Sequence, residues 1–106
     1  MLKEIINNPK DKLICVDLDG TLCYGEYWSK ESPEPEPIQN NIDFINNLYL
    51  NGAHIIIWTA RFPDLYPETH AWLIKNRVRF HGIFMGKNGS DCYIDDKCIN
   101  INDINN

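Results

Sequence analysis

Leu13-Ile14-Cys15-Val16-Asp17-Leu18-Asp19-Gly20-Thr21 is the stretch that decides the fold. Leu13 to Val16 reads as a buried β-strand, a short apolar run without alternation. It ends at two carboxylates, Asp17 and Asp19, separated by one residue, just as Gly20 turns the backbone. In a parallel sheet the carboxyl edge of a strand is where ligands bind. Two carboxylates this close need a cation, and an oxygen-seeking one such as magnesium suits them.

Working outward, three more apolar runs read as strands: Ala53 to Trp58, Ile83 to Met85 and Cys92 to Ile94. None alternates cleanly, which is expected of strands covered on both faces. A helix is expected after Pro37, with Ile38, Ile42, Ile45, Leu48 and Tyr49 on one face and Asn51-Gly52 as its stop. A second is expected from about Pro67 to Asn76, turning Ala71, Trp72, Leu73 and Ile74 toward the sheet. The tail from about Lys97 is expected to form a short helix using Ile101 and Ile104. Right-handed crossovers through such helices give an α/β fold: a three-layer, Rossmann-like parallel sheet with helices on both faces.

Residues 22–37 break the pattern. Tyr24, Tyr27 and Trp28 sit among glycine and charge, and alternating prolines follow from Pro33 to Pro37. This segment is expected to be an extended, stiff surface flap. Trp58 and Trp72 read as core aromatics. Trp28, in a polar segment, suits a position over the site with Tyr24 or Tyr27.

The chain has 106 residues, enough for one domain over 1–106 and too few for two. Ten basic against fifteen acidic residues give a formal charge of -5, which argues against a nucleic-acid surface. No basic-then-apolar leader opens the sequence and no apolar run reaches about eighteen residues, so a cytoplasmic protein without membrane contact is expected. The four cysteines, Cys15, Cys23, Cys92 and Cys98, show no CxxC spacing and read as buried or partly buried free thiols of a reducing compartment, the alternative being a zinc site from Cys92, Cys98 and one of His54, His70 or His81.

The ends of the four expected strands carry the chemistry. The first ends in Asp17 and Asp19, the second in Thr59-Ala60-Arg61, the third in Gly86-Lys87 and the fourth in Asp95-Asp96. If all four run parallel, two carboxylate pairs, a hydroxyl and an ammonium converge on one rim. Arg61 either binds a substrate anion there or pairs with an acidic surface residue.

With those residues in view, the chain resembles the haloacid dehalogenase superfamily, specifically its small magnesium-dependent phosphatases. The resembling segments are Val16 to Leu22, Ile57 to Arg61, Gly86-Lys87 and Tyr93 to Lys97. Tyr93-Ile94-Asp95-Asp96-Lys97, with the preceding Gly-Lys, is similar to capless members tied to capsule and lipopolysaccharide sugar synthesis. Asn88 departs from the proline that commonly follows the lysine in those relatives. Neither the interval from Asp19 to Thr59 nor that from Thr59 to Lys87 leaves room for a cap domain.

The resemblance implies a phosphomonoester hydrolase. Asp17 would be the nucleophile, forming an aspartyl phosphate. Asp19 would protonate the leaving group and later deprotonate water. Lys87 would balance charge, and Thr59 and Ala60 would bind phosphate. Magnesium would be held by Asp17, Asp19 through its carbonyl, and the Asp95-Asp96 pair, the family pattern placing Asp95 ahead of Asp96 as direct ligand. Tyr24, Tyr27, Trp28 and Arg61 are the expected substrate contacts.

An open site admits a bulky substrate and favours self-association to complete the pocket; the resemblance implies a phosphorylated sugar or related metabolite of polysaccharide synthesis. The alternatives are a phosphatase of nucleotides, phosphoproteins or nucleic-acid ends, a phosphotransferase, and a non-catalytic binding module.

Overall fold

The apolar runs around His54 to Trp58 pair on both sides, and the fold grows from that strand. The structure, a computed structural model, describes residues 2–104. In chain order it contains α1 (Leu2–Asn7), β1 (Leu13–Val16), α2 (Gln39–Leu50), β2 (His54–Trp58), α3 (Tyr66–Lys75) and β3 (Gly82–Phe84). Short 3-10 turns occupy Pro63–Leu65 and Ile101–Asp103. The strands form a parallel sheet in the order β1-β2-β3. Leu13 faces His54 and Val16 faces Ile57, while Ile56 faces Gly82 and Trp58 faces Phe84.

Both crossovers step in the same direction across this sheet, and right-handed connections then place α2 and α3 on one face. The core lies there. Val16, Ile55 and Ile57 from the strands pack with Ile42, Ile45 and Leu48 of α2 and with Trp72 and Leu73 of α3. Each such fully buried aliphatic side chain contributes about 1.5–3 kcal/mol.

Where a second helical layer was expected, no helix among the described residues covers the opposite sheet face. It carries Leu13 at 70%, Trp58 at 41% and Phe84 at 64% exposure, together with exposed Cys15. A crossover helix would cover that face on the way to a further strand beyond β1. No such strand forms: residues 88–100 hold no regular structure, and Ile94 is 98% exposed. Cys92 to Ile94 is short and preceded by Asn88-Gly89-Ser90-Asp91, which favours turns. The Tyr93 hydroxyl also folds back to donate to the Asn88 carbonyl, curling the segment on itself.

Smaller expectations also shift. Trp58 belongs to the uncovered face and not to the core. Ala71 and Ile74 point outward on α3, because Thr69, Trp72 and Leu73 take its buried side. The expected helix in the tail is the 3-10 turn Ile101–Asp103, and β3 lies one residue earlier than expected. No helix among the described residues is long and apolar enough to cross a membrane.

Candidate functional site

The chain leaves β1 and wraps around one carbonyl. The amides of Thr21 and Leu22 donate to Leu18 O at 3.0 and 2.8 Å, and the Gly20 amide donates to Cys23 O at 2.8 Å. Val16, Leu18 and Leu22 are buried, so the two acids between them, Asp17 and Asp19, are turned toward the rim. Gly20 has φ +83°, a conformation that side chains with a Cβ resist. The Asn41 side chain of α2 donates to Thr21 O at 2.7 Å and ties the loop to the helix.

Within that loop the two carboxylates meet different partners. Asp17 Oδ1 accepts the Leu18 amide at 2.8 Å, while Oδ2 lies 3.9 Å from the ammonium of Lys87. Burial, the largest influence, raises the Asp17 carboxyl above its ordinary value. The Leu18 amide and Lys87 oppose the rise, and the charge of Asp19 adds to it. Asp17 is therefore an under-neutralised carboxylate with one oxygen open.

Lys87 reaches the rim because β2 and β3 exit together. Its amide donates to Thr59 O at 2.9 Å and the Gly86 amide donates to Arg61 O at 3.0 Å. Its ammonium rests between two aromatic rings, 4.8 Å from the centroid of Trp58 and 4.4 Å from that of Tyr93. Both rings shield the ammonium from water and attract it through their quadrupoles.

Asp19 has no share in Lys87. Its carboxylate is gripped side-on by Arg61, Nε to Oδ2 at 3.0 Å and Nη2 to Oδ1 at 2.8 Å. Arg61 is only 2% exposed; its Nη1 donates to Thr69 Oγ1 at 3.0 Å, and Tyr27 stacks 4.7 Å from its guanidinium carbon. Arg61 pairs with an acid, but that acid is Asp19 in the cleft and not a surface residue. Cys23 points its thiol at Asp19 Oδ1 at 3.3 Å. Burial first and Asp19 second push that thiol up to about 12, so it remains protonated.

These groups border a cleft of about 170 Å³. Asp17, Asp19, Ala60, Arg61 and Lys87 form its floor and sides. The flap supplies Glu26, Tyr27 and Trp28, and residues after β3 supply Gly89, Ser90 and Tyr93. The Trp28 indole N–H donates to Glu26 Oε2 at 2.9 Å, holding both side chains at the rim. The flap is pinned to α3: Trp72 Nε1 donates to Pro35 O at 2.9 Å, and Lys75 pairs with Glu34 at 2.9 Å.

Other expected residues fall elsewhere. Thr59 is fully buried, and its hydroxyl accepts the Arg61 amide at 3.1 Å, shaping the turn behind Ala60 without lining the cleft. Tyr24 is 63% exposed and points away from the cleft lining. Asp95 and Asp96 lie outside it as well, on the exposed segment that fails to form a strand. The Lys97 amide donates to Asp95 Oδ1 at 2.8 Å; that bond, and then Asp96, holds the Asp95 carboxyl below its ordinary value.

The four-residue magnesium set is thus not assembled. Among the described residues no group of three or more His, Cys, Asp or Glu side chains is placed to hold a metal ion. What the cleft does offer a magnesium ion is the carboxylate of Asp17, a half-buried negative charge only partly offset by Lys87. Magnesium commonly uses one or two carboxylates together with the phosphate oxygens of a substrate, and Asp17 fits that lesser requirement.

Glu26 and Thr69 carried no sequence signal, and Tyr93, though part of the motif that holds Asp95, gave none of its contact with Lys87. Each acquires a place only through tertiary packing.

No family model matches the chain, and no curated protein matches it. Among solved structures it is similar to a crystal structure from Vibrio cholerae described as an MCSG target. The two are 26% identical, with 87% of this chain and 85% of that chain covered and a TM-score of 0.73. That description names no activity, so the likeness bears on the fold.

Proposed function

We propose that the protein is a phosphomonoester hydrolase working through an aspartyl-phosphate intermediate, with magnesium as its cofactor. The observation that carries this reading is the meeting of Asp17 Oδ2 and Lys87 Nζ, 3.9 Å apart, from the ends of different parallel strands. A nucleophilic oxygen beside a fixed, dehydrated positive charge is what attack on an anionic phosphorus requires.

Asp17 Oδ2 bonds to phosphorus as the bond to the leaving oxygen breaks. Asp19, at the cleft wall, gives its proton to that oxygen. Water then attacks the phosphorus of the aspartyl phosphate and yields a proton to Asp19, which restores both residues. Lys87 balances the phosphoryl oxygens in each half. Ala60, at the turn after β2, leaves the approach to the phosphoryl group unobstructed.

A magnesium ion held by Asp17 and the phosphate would supply further positive charge against the phosphoryl oxygens. We retain Asp95 and Asp96 in the proposed ligand set through the resemblance. They follow Lys87 on a short stretch free of regular structure. Asp95→Asn is expected to weaken magnesium binding about tenfold or more. Unchanged affinity in a titration would remove that pair.

The proposed substrate is a phosphorylated sugar or related metabolite. Trp28 and Glu26 support it: an exposed indole face and a carboxylate, locked side by side, suit a leaving group with both apolar ring faces and hydroxyls. Screening phosphorylated sugars, nucleotides and peptides with magnesium tests the assignment. Asp17→Asn should lower turnover on every active ester by about 10³-fold or more. Full turnover in that variant would exclude Asp17 as nucleophile.

A further inference from the structure

Burying a guanidinium is costly unless its donors are satisfied. Arg61 sits at 2% exposure and uses four of its five N–H donors, on Asp19 twice, on Thr69 and on the Cys23 sulfur. Its partners come from separate parts of the chain. Asp19 and Cys23 belong to the loop after β1, Thr69 to α3, and Tyr27, which stacks on it, to the flap. The apolar core does not call for such a group. What the arrangement accomplishes is a division of charge in the cleft: Lys87 faces Asp17, and Arg61 faces Asp19.

Without that division Asp19, two residues from Asp17 and bordering the same cleft, would compete for the ammonium of Lys87. The side-on grip also fixes the carboxylate's orientation. It uses two of the lone-pair sites that a carboxylate offers and leaves the others to carry the proton that passes to the leaving-group oxygen. We propose that Arg61 is a positioning residue for Asp19, holding its carboxylate at the cleft wall toward the leaving group and away from Lys87. The proposal rests on the phosphomonoesterase reading for its kinetic consequence and on the geometry alone for its structural one. Thr69 anchors the outer nitrogen of the fork, so it acts one step further back.

The test compares wild type, Arg61→Lys, Thr69→Val, Asp19→Asn and the Arg61→Lys/Asp19→Asn double variant. Each is assayed on an aryl phosphate with a good leaving group and an alkyl phosphate with a poor one. Arg61→Lys should lower kcat on the alkyl ester about tenfold more than on the aryl ester, because only the poor leaving group needs a well-placed proton donor. KM should move less than about threefold.

Thr69→Val should shift the same ratio in the same direction by a smaller factor. The double variant should be no slower than Asp19→Asn within about twofold, since both changes remove one function. Equal losses on both esters, or additive losses in the double variant, would overturn the proposal. If Arg61→Lys does not fold, Thr69→Val decides, and an unchanged ratio there overturns it.

A crystal structure of Arg61→Lys, or of Thr69→Val should the first not fold, reads the positioning directly. Asp19 should turn toward Lys87 in the first and lose its fixed orientation in the second; an unmoved Asp19 rejects the role. If wild type turns over neither ester, the hydrolase reading falls, and these structures still decide whether Arg61 positions Asp19.

Discussion

Asp17 keeps an open oxygen while Asp19, two positions on, has both of its oxygens in the grip of a guanidinium. Burial raises the Asp17 carboxyl, so the folded state binds that proton more tightly than the unfolded chain does. In metal-free buffer stability therefore falls as pH climbs from the ordinary carboxylate range through the raised folded value. Asp17→Asn should melt above wild type at neutral pH, and the difference should vanish below the ordinary carboxylate range. The side chain is 41% exposed, so screening by water keeps the gain under about 1 kcal/mol. A thermal melt series across pH measures it; a variant less stable at neutral pH would contradict the origin given for the shift. The pairing of Lys87 with Asp17 was legible in the sequence, because both follow apolar runs that end on one edge. The pairing of Arg61 with Asp19 was not: side-chain partners far apart in sequence leave no periodic trace.

Elements were legible where their pattern was long and failed where it was short. Ile42, Ile45 and Leu48 gave α2 an apolar stripe that only one packing satisfies, and β2 offered five consecutive residues to two neighbours. Cys92 to Ile94 had only three apolar residues behind a turn-rich run, too little to hold an edge against solvent. That failed strand also explains the uncovered sheet face and the position of Asp95 and Asp96 outside the cleft. The flap was foreseen as stiff and extended, and its anchors, Trp72 on Pro35 and Lys75 on Glu34, account for its place against α3. Trp28 stands 55% exposed at the cleft mouth. Replacing it with alanine should raise KM for a bulky sugar phosphate several-fold more than for a small aryl phosphate, a loss of about 1 kcal/mol of stacking. Equal effects on both esters would assign Trp28 to holding the flap instead.

At the scale of the whole molecule, three parallel strands deliver Asp17, Asp19, Arg61 and Lys87 to one rim while the core lies beneath α2 and α3. That separation lets the rim carry repelling charges without weakening the packing that supports it. Chelating divalent ions should abolish hydrolysis and added magnesium should restore it; chelator-resistant turnover would contradict the cofactor. Lys87→Met should lower kcat/KM by about 10²–10³-fold, the usual cost of removing a preorganised charge from a phosphoryl site. The central claim is that Asp17 itself takes up the phosphoryl group, and rapid-quench mass spectrometry of the enzyme during turnover tests it most directly. One hydroxylamine-sensitive phosphoryl group is expected on the peptide containing Asp17, and none in Asp17→Asn. Turnover with no such adduct, or an adduct on any other residue, would contradict it.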